Sequence, residues 1–198
     1  MAKSLHPFDF TAAMSRLCDD ITCRLDDFLH IDMSRVAVGF AQTRSRALHG
    51  LQAKLTPMRF EGGTLTTQRS GRTWTVQRLY HSEREMLYIL TFYLPRFLDQ
   101  SFREKMITIL HELYHISPRF DGDIRRFEGR YHVHSHSQQE YDAEMDRLAT
   151  HYLDMRPDPS LYSFLRHNFQ TLSKLHGGVL GLQFPVPKLV PLDNAKTA

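Results

Sequence analysis

The residues with the clearest chemistry are His111-Glu112-Leu113-Tyr114-His115. Histidines four apart on a helix stand one turn apart on the same face, so both imidazoles reach a single metal ion. Glu112 points beside that ion. Zinc suits an imidazole donor pair, and it lowers the pKa of a bound water toward roughly 7. Glu112 would accept the proton released there and carry it to a leaving amine. The expected chemistry is metal-assisted hydrolysis, with Glu112 as general base and His111 and His115 as ligands. The bland alternative is a solvent-facing helix turn whose His and Glu make only surface contacts.

A catalytic zinc takes three protein ligands and keeps one position open. Residues 130–136 alternate, placing His132, His134 and His136 on one face of an expected strand. His136 ranks first because it adjoins Ser137, the expected cap of the next helix. His134 and His132 follow as alternates. Glu144, one turn into that helix, is a carboxylate alternative resembling the arrangement in gluzincins. Tyr131 or Tyr141 could donate to a developing oxyanion, although a core tyrosine is the simpler reading of each. Arg125 and Arg126 could bind a substrate carboxylate or phosphate. Equally they could pair with Asp121 and Asp123 to hold the loop, and the structural role is the favoured one for the aspartates.

Several elements must position these groups. An apolar repeat at Met14, Leu17, Cys18, Ile21, Leu25 and Phe28 predicts a helix over 10–29, capped by Asp9 or Thr11. Residues 35–42 read as a strand. A second strand falls within 51–60, with Pro57 marking an edge or bulge. Gly62-Gly63 is a turn, 72–80 alternates, and 82–85 is a polar turn. Residues 86–94 are almost wholly apolar, as a central strand covered on both faces requires. Ser101 with Glu104 is a capping box opening the helix that carries the histidine pair. That helix is expected to reach Ile116 and end before Pro118. Its opposite face carries Phe102, Met106, Ile109, Leu110 and Leu113. Glu104 and Thr108 share the histidine side, which turns that side toward a cleft. Ser137 and Glu140 form a second capping box for a helix to Met155. Asp158 and Pro159 open a last helix running to His176. The Pro-rich tail is expected to lie extended along the surface or loose.

Helix, strands, then helices predict an α+β fold: a small mixed or antiparallel sheet packed against helices. One domain over 1–176 and a tail over 177–198 suit the length of 198 residues. The formal charge of +3 permits a nucleic-acid partner without requiring one. Cys18 and Cys23 diverge on a helix, so no bridge between them is expected and a reducing, cytoplasmic setting is the simplest. No run approaches the roughly 20 apolar residues of a membrane span.

The segment HELYHISPRFDGDIRRFEGRYHVHSHSQQEYDAEM resembles a family of phage metallopeptidases, zincin-like proteins in which an HELxHI helix precedes an FDG-type turn and basic residues. It is also similar in outline to the SprT-like peptidases, where a third histidine stands just before the next helix, as His136-Ser137 does here. The resemblance spans about 97–155. It implies a zincin fold and zinc peptidase activity on a peptide or protein substrate. The run His134-Ser135-His136 does not extend to the JAMM pattern, because Glu144 and Arg147 stand where a Ser and an Asp are needed. The reading from a different class is a catalytically weak metal-binding or DNA-associated module. A further one is a metal-independent helical interaction domain that binds through its Pro-rich tail.

Overall fold

The computed structural model describes residues 6–43, 50–126 and 138–192. In chain order the elements are β1 (Phe8–Asp9), α1 (Phe10–Arg24), β2 (Val36–Gln42), β3 (Ala53–Pro57), β4 (Thr66–Arg69), β5 (Arg72–Val76), β6 (Tyr80–His81), β7 (Arg84–Glu85), β8 (Tyr88–Leu94), α2 (Phe102–Tyr114), α3 (Gln138–Asp154), α4 (Pro159–Tyr162), α5 (Phe169–His176), β9 (Val179–Leu180) and β10 (Leu189–Leu192). The fold is α+β with small sheets.

The central sheet is mixed and has the order β2-β8-β3, with β8 parallel to β2 and antiparallel to β3. The apolar run at 86–94 thus forms the middle strand. Alternation assigns its side chains to two covers. Tyr88, Leu90 and Phe92 face the main core together with Val36, Val38, Ala53 and Leu55. There they meet α1 through Phe10, Met14, Leu17 and Ile21, and α2 through Met106, Ile109, Leu110 and Leu113. Ile89 and Ala37 face the other way, into a smaller cluster with Met58, Met86 and Phe184.

The helix caps follow local chemistry. Asp9 accepts from Ala12 N–H at 2.9 Å, so α1 starts at Phe10. It ends at Arg24, earlier than the apolar repeat suggests, because the chain turns extended at Leu25 before a 3-10 turn at Asp26–Phe28. Cys18 is buried and Cys23 exposed, and both are free thiols. Ser101 and Glu104 make both halves of the capping box on α2. Among the described residues no helix is long and apolar enough to cross a membrane.

One further expectation changes. The helix from Pro159 to His176 is broken into α4, a 3-10 turn at Ser163–Arg166, and α5. The break lies where buried Lys105 donates its ammonium protons to Leu165 O at 2.8 Å and His167 O at 2.9 Å. Carbonyls taken by a side chain from another helix are lost to an uninterrupted helical ladder. The tail takes the extended course, one of its two expected forms, and its residues up to Leu192 pair with other strands. Gly177 ends α5 in the left-handed region, β9 pairs parallel with β1, and β10 pairs antiparallel with β5. Between them Leu182 accepts from Phe40 N–H at 3.0 Å, and Leu182 N–H donates to the Thr11 hydroxyl at 2.8 Å. Gly39 permits this crossing: a Cβ there would lie 2.8 Å from Leu182 O and 2.9 Å from the Phe184 ring. Gly39→Val is expected to destabilise the protein by about 1–3 kcal/mol through overpacking. It should also expose 181–188 to limited proteolysis, whereas unchanged melting and cleavage would show that the tail does not depend on this contact.

Burial pulls the Lys105 pKa down to about 8, with Asp99 opposing. The folded state therefore binds this proton less tightly than the unfolded chain, whose lysine titrates near 10.4. Below pH 8 both states are charged and the desolvation cost is fully present. Between about 8 and 10.4 the unfolded chain holds the extra proton, so raising the pH favours folding. Urea unfolding should show this as an alkaline gain on the order of 1–3 kcal/mol relative to Lys105→Met. Parallel pH profiles for the two proteins would remove the buried charge as its cause.

Candidate metal and hydrolytic site

The α2 helix lies against the sheet with β3 alongside it. Met106, Ile109, Leu110 and Leu113 are fully buried, and this fixes the rotation of the helix about its axis. The rotation turns His111 and His115 together out of the core. Both are half-buried, with ring centroids 4.6 Å apart at an interplanar angle of 79°. One pocket of 290 Å³ is lined by His111, Glu112, His115, Ala53, Lys54, Leu55 and neighbours.

Glu112 is 9% exposed. Its Oε2 accepts from Leu55 N–H at 2.6 Å, the outward-facing amide of edge strand β3. Burial pushes its carboxyl up to about 7, against the opposing effects of the Leu55 amide and the Lys54 ammonium. The glutamate is thus both a buried carboxylate at the pocket wall and a staple between helix and strand. Leu55 and Lys54 had no signal in the sequence, since they lie 57 and 58 positions from Glu112.

The loop after α2 completes the site from below. Arg125 N–H donates to His115 O at 2.7 Å, and its Nε donates to Tyr114 O at 2.8 Å. The last carbonyls of the helix, which have no partner within it, are satisfied by a positive side chain and its backbone. The Arg125 guanidinium also lies 4.0 Å over the Tyr114 ring. A bridge between Ile116 and Ile124 closes the loop. Asp123 holds it in place: its carboxylate accepts from Arg126 Nε and Nη2 at 3.0 Å each, from Ile124 N–H at 2.8 Å, and from Gly62 N–H at 2.9 Å. These partners keep the Asp123 carboxyl below the usual carboxylate range despite its burial. Tyr88 hydroxyl donates to Asp123 O at 2.8 Å and accepts from Gly122 N–H at 3.0 Å. The structural role favoured for Asp123 matches this geometry, with Arg126 as its partner. Arg125 differs, serving the helix terminus and not an aspartate.

His132, His134, His136 and Tyr131 lie outside the described residues, as does the side chain of Tyr141. Glu144 is taken by Arg147, whose Nη2 and Nε donate to it at 2.6 Å and 2.9 Å. Among the described residues no three His, Cys, Asp or Glu side chains stand close enough to share a metal ion. Glu144 therefore does not join His111 and His115. The donor chemistry of the two half-buried imidazoles on one pocket wall fits a zinc ion, with at least one more ligand required. Glu104 and Thr108 do not enter the pocket: Glu104 caps α2, and Thr108 bonds to Gln100.

Glu112→Ala would strand the Leu55 amide and is expected to cost about 1–3 kcal/mol in urea unfolding. Glu112→Gln keeps an acceptor oxygen and should retain most of that stability. Equal losses in both variants would show that the staple is not an acceptor effect. Comparison with protein-family models, curated proteins and solved structures finds no match for this chain.

Proposed function

We propose that the chain is a zinc-dependent hydrolase of the zincin type that cleaves peptide bonds. The observation that carries this reading is the placement of His111, Glu112 and His115 on one wall of one pocket. His111 and His115 would hold the metal, with the third ligand supplied from His136, His134 or His132. A bound zinc supplies Lewis acidity, which brings water into a usable range near neutral pH.

The chain's own groups do the rest. Glu112 accepts a proton from the attacking water and returns it to the leaving amine. Its oxygen Oε2 is fixed by Leu55 N–H, which orients the carboxylate without adding a charge. The apolar floor beneath it, Ile109 and Leu113, keeps the helix from rotating and holds the base at a constant distance from the imidazoles. Strand β3 borders the pocket as an edge strand, paired on one side only with β8. An edge strand offers main-chain groups to an extended chain laid beside it; Glu112 takes the Leu55 amide, so the outward main-chain groups of Ala53 are the ones left for a peptide substrate.

The test uses zinc-loaded protein and an unstructured protein substrate such as reduced, alkylated casein. Wild type is expected to cleave it, and Glu112→Gln to lose at least about 100-fold in rate, in the range of general-base contributions, while keeping its zinc. Cleavage by Glu112→Gln at the wild-type rate would remove the glutamate from the chemistry. Absence of cleavage by zinc-loaded wild type across a panel of unfolded proteins would favour the second reading, a metal-binding module without hydrolysis. The Leu55–Glu112 hydrogen bond is what supports that reading, since it gives the carboxylate a purely structural use.

A further inference from the structure

A second pocket, of 510 Å³, shares no lining residue with the histidine pocket and is lined by Arg69, Ser70, Arg72, Trp74 and Leu189. It is made by the β4–β5 hairpin and by β10, which adds to the other side of β5. The register pairs Arg69 with Arg72 and Thr67 with Trp74. Directly paired residues share a face, and so do alternate residues along a strand. Arg69, Arg72 and Trp74 therefore stand together at the end of the hairpin, beside the two-residue turn Ser70-Gly71, with φ of 49° and 72°. On β10, Leu189 and Pro191 take the same face through their partners Val76 and Trp74.

The charges here are not explained by the fold. Two like charges placed opposite each other across strands destabilise a hairpin. Arg24, Arg59, Arg103, Arg126 and Arg147 each pair with a carboxylate, yet Arg69 and Arg72 form no ion pair among the described residues. Residues 64–79 hold Arg69, Arg72 and Arg78 and not one Asp or Glu. Trp74 is half-buried, and its Nε1 donates to Arg69 O at 3.3 Å, which holds the indole against the hairpin end.

A fixed aromatic surface beside two forked cations matches a ligand that repeats a flat ring and an anion. We propose that this hairpin face binds single-stranded nucleic acid, with a base stacked on Trp74 and adjacent phosphates held by Arg69 and Arg72. A single strand fits because a base can reach a recessed indole only when unpaired and unstacked. Thr67 and Ser70 add hydroxyl donors without base selectivity, so binding is sequence-tolerant. The proposal is independent of the hydrolytic site.

Trp74 is the sole tryptophan, so intrinsic fluorescence reads this site directly. The full chain is titrated with a deoxythymidine 12-mer, the matching uridine 12-mer, a 12-base-pair duplex, and polyphosphate of equal charge. Saturable quenching by a single strand is expected, with affinity falling linearly in log salt. Arg69→Ala with Arg72→Ala should weaken binding at least about tenfold and lower the salt slope by about 1.4, or about 0.7 for each phosphate contact on a single strand. Its melting temperature should be no lower than that of wild type, because both side chains are exposed and their mutual repulsion is removed. Preference for deoxythymidine or uridine assigns the strand as DNA or RNA. Quenching by polyphosphate at the same affinity, tighter binding of the duplex, or no quenching by either single strand would overturn the proposal.

Discussion

The hydrogen bond from Leu55 N–H to Glu112 Oε2 at 2.6 Å joins the edge strand to the helix that bears the chemistry. A buried carboxylate is costly unless it is hydrogen-bonded, and an outward amide of an edge strand needs a partner. Each group solves the other's difficulty. The bond fixes the register of α2 against β3, and the buried stripe Met106, Ile109, Leu110 and Leu113 fixes its rotation. Once both are set, the two histidines have one place to stand. The same carboxylate is then available at the pocket wall. Structural and chemical uses of Glu112 therefore share one geometry.

The loop 117–126 answers a second constraint. A helix that presents its last turn to a pocket leaves carbonyls exposed at its C-terminus, beside any metal. Arg125 satisfies those of Tyr114 and His115, and Asp123 anchors the loop that brings Arg125 back. The FDGDIRR run is therefore part of the site's scaffold. On the far face of the sheet the tail plays a comparable part. It lays Phe184 over Ala37 and Ile89, and its last strand widens the exposed hairpin sheet.

Local signals carried much of this architecture in the sequence. The Ser101–Glu104 box, the apolar run of β8, Pro57 at the end of an edge strand and the four-residue histidine spacing each state a short-range rule. The missed features depend on distant partners. Strand β4 is polar and exposed on both sides, so it lacks the alternation that marks a half-buried strand. Pairing of β10 with β5 joins residues more than a hundred apart, and a Pro-rich segment gives no hint of it. Lys105 breaks the last helix from 60 residues away. Of the site, the helix face was legible and the Leu55 staple was not. His132, His134 and His136 lie outside the described residues, so their ranking stays an expectation from the sequence.

The central claim is that His111 and His115 hold one metal ion together. Elemental analysis of purified, zinc-reconstituted protein tests this most directly, with His111→Ala and His115→Ala prepared in parallel. The account predicts about one zinc per wild-type chain and loss of most of it in each variant, with the folds intact by circular dichroism. A wild type that holds no zinc after reconstitution, or variants that hold as much as wild type, would contradict it.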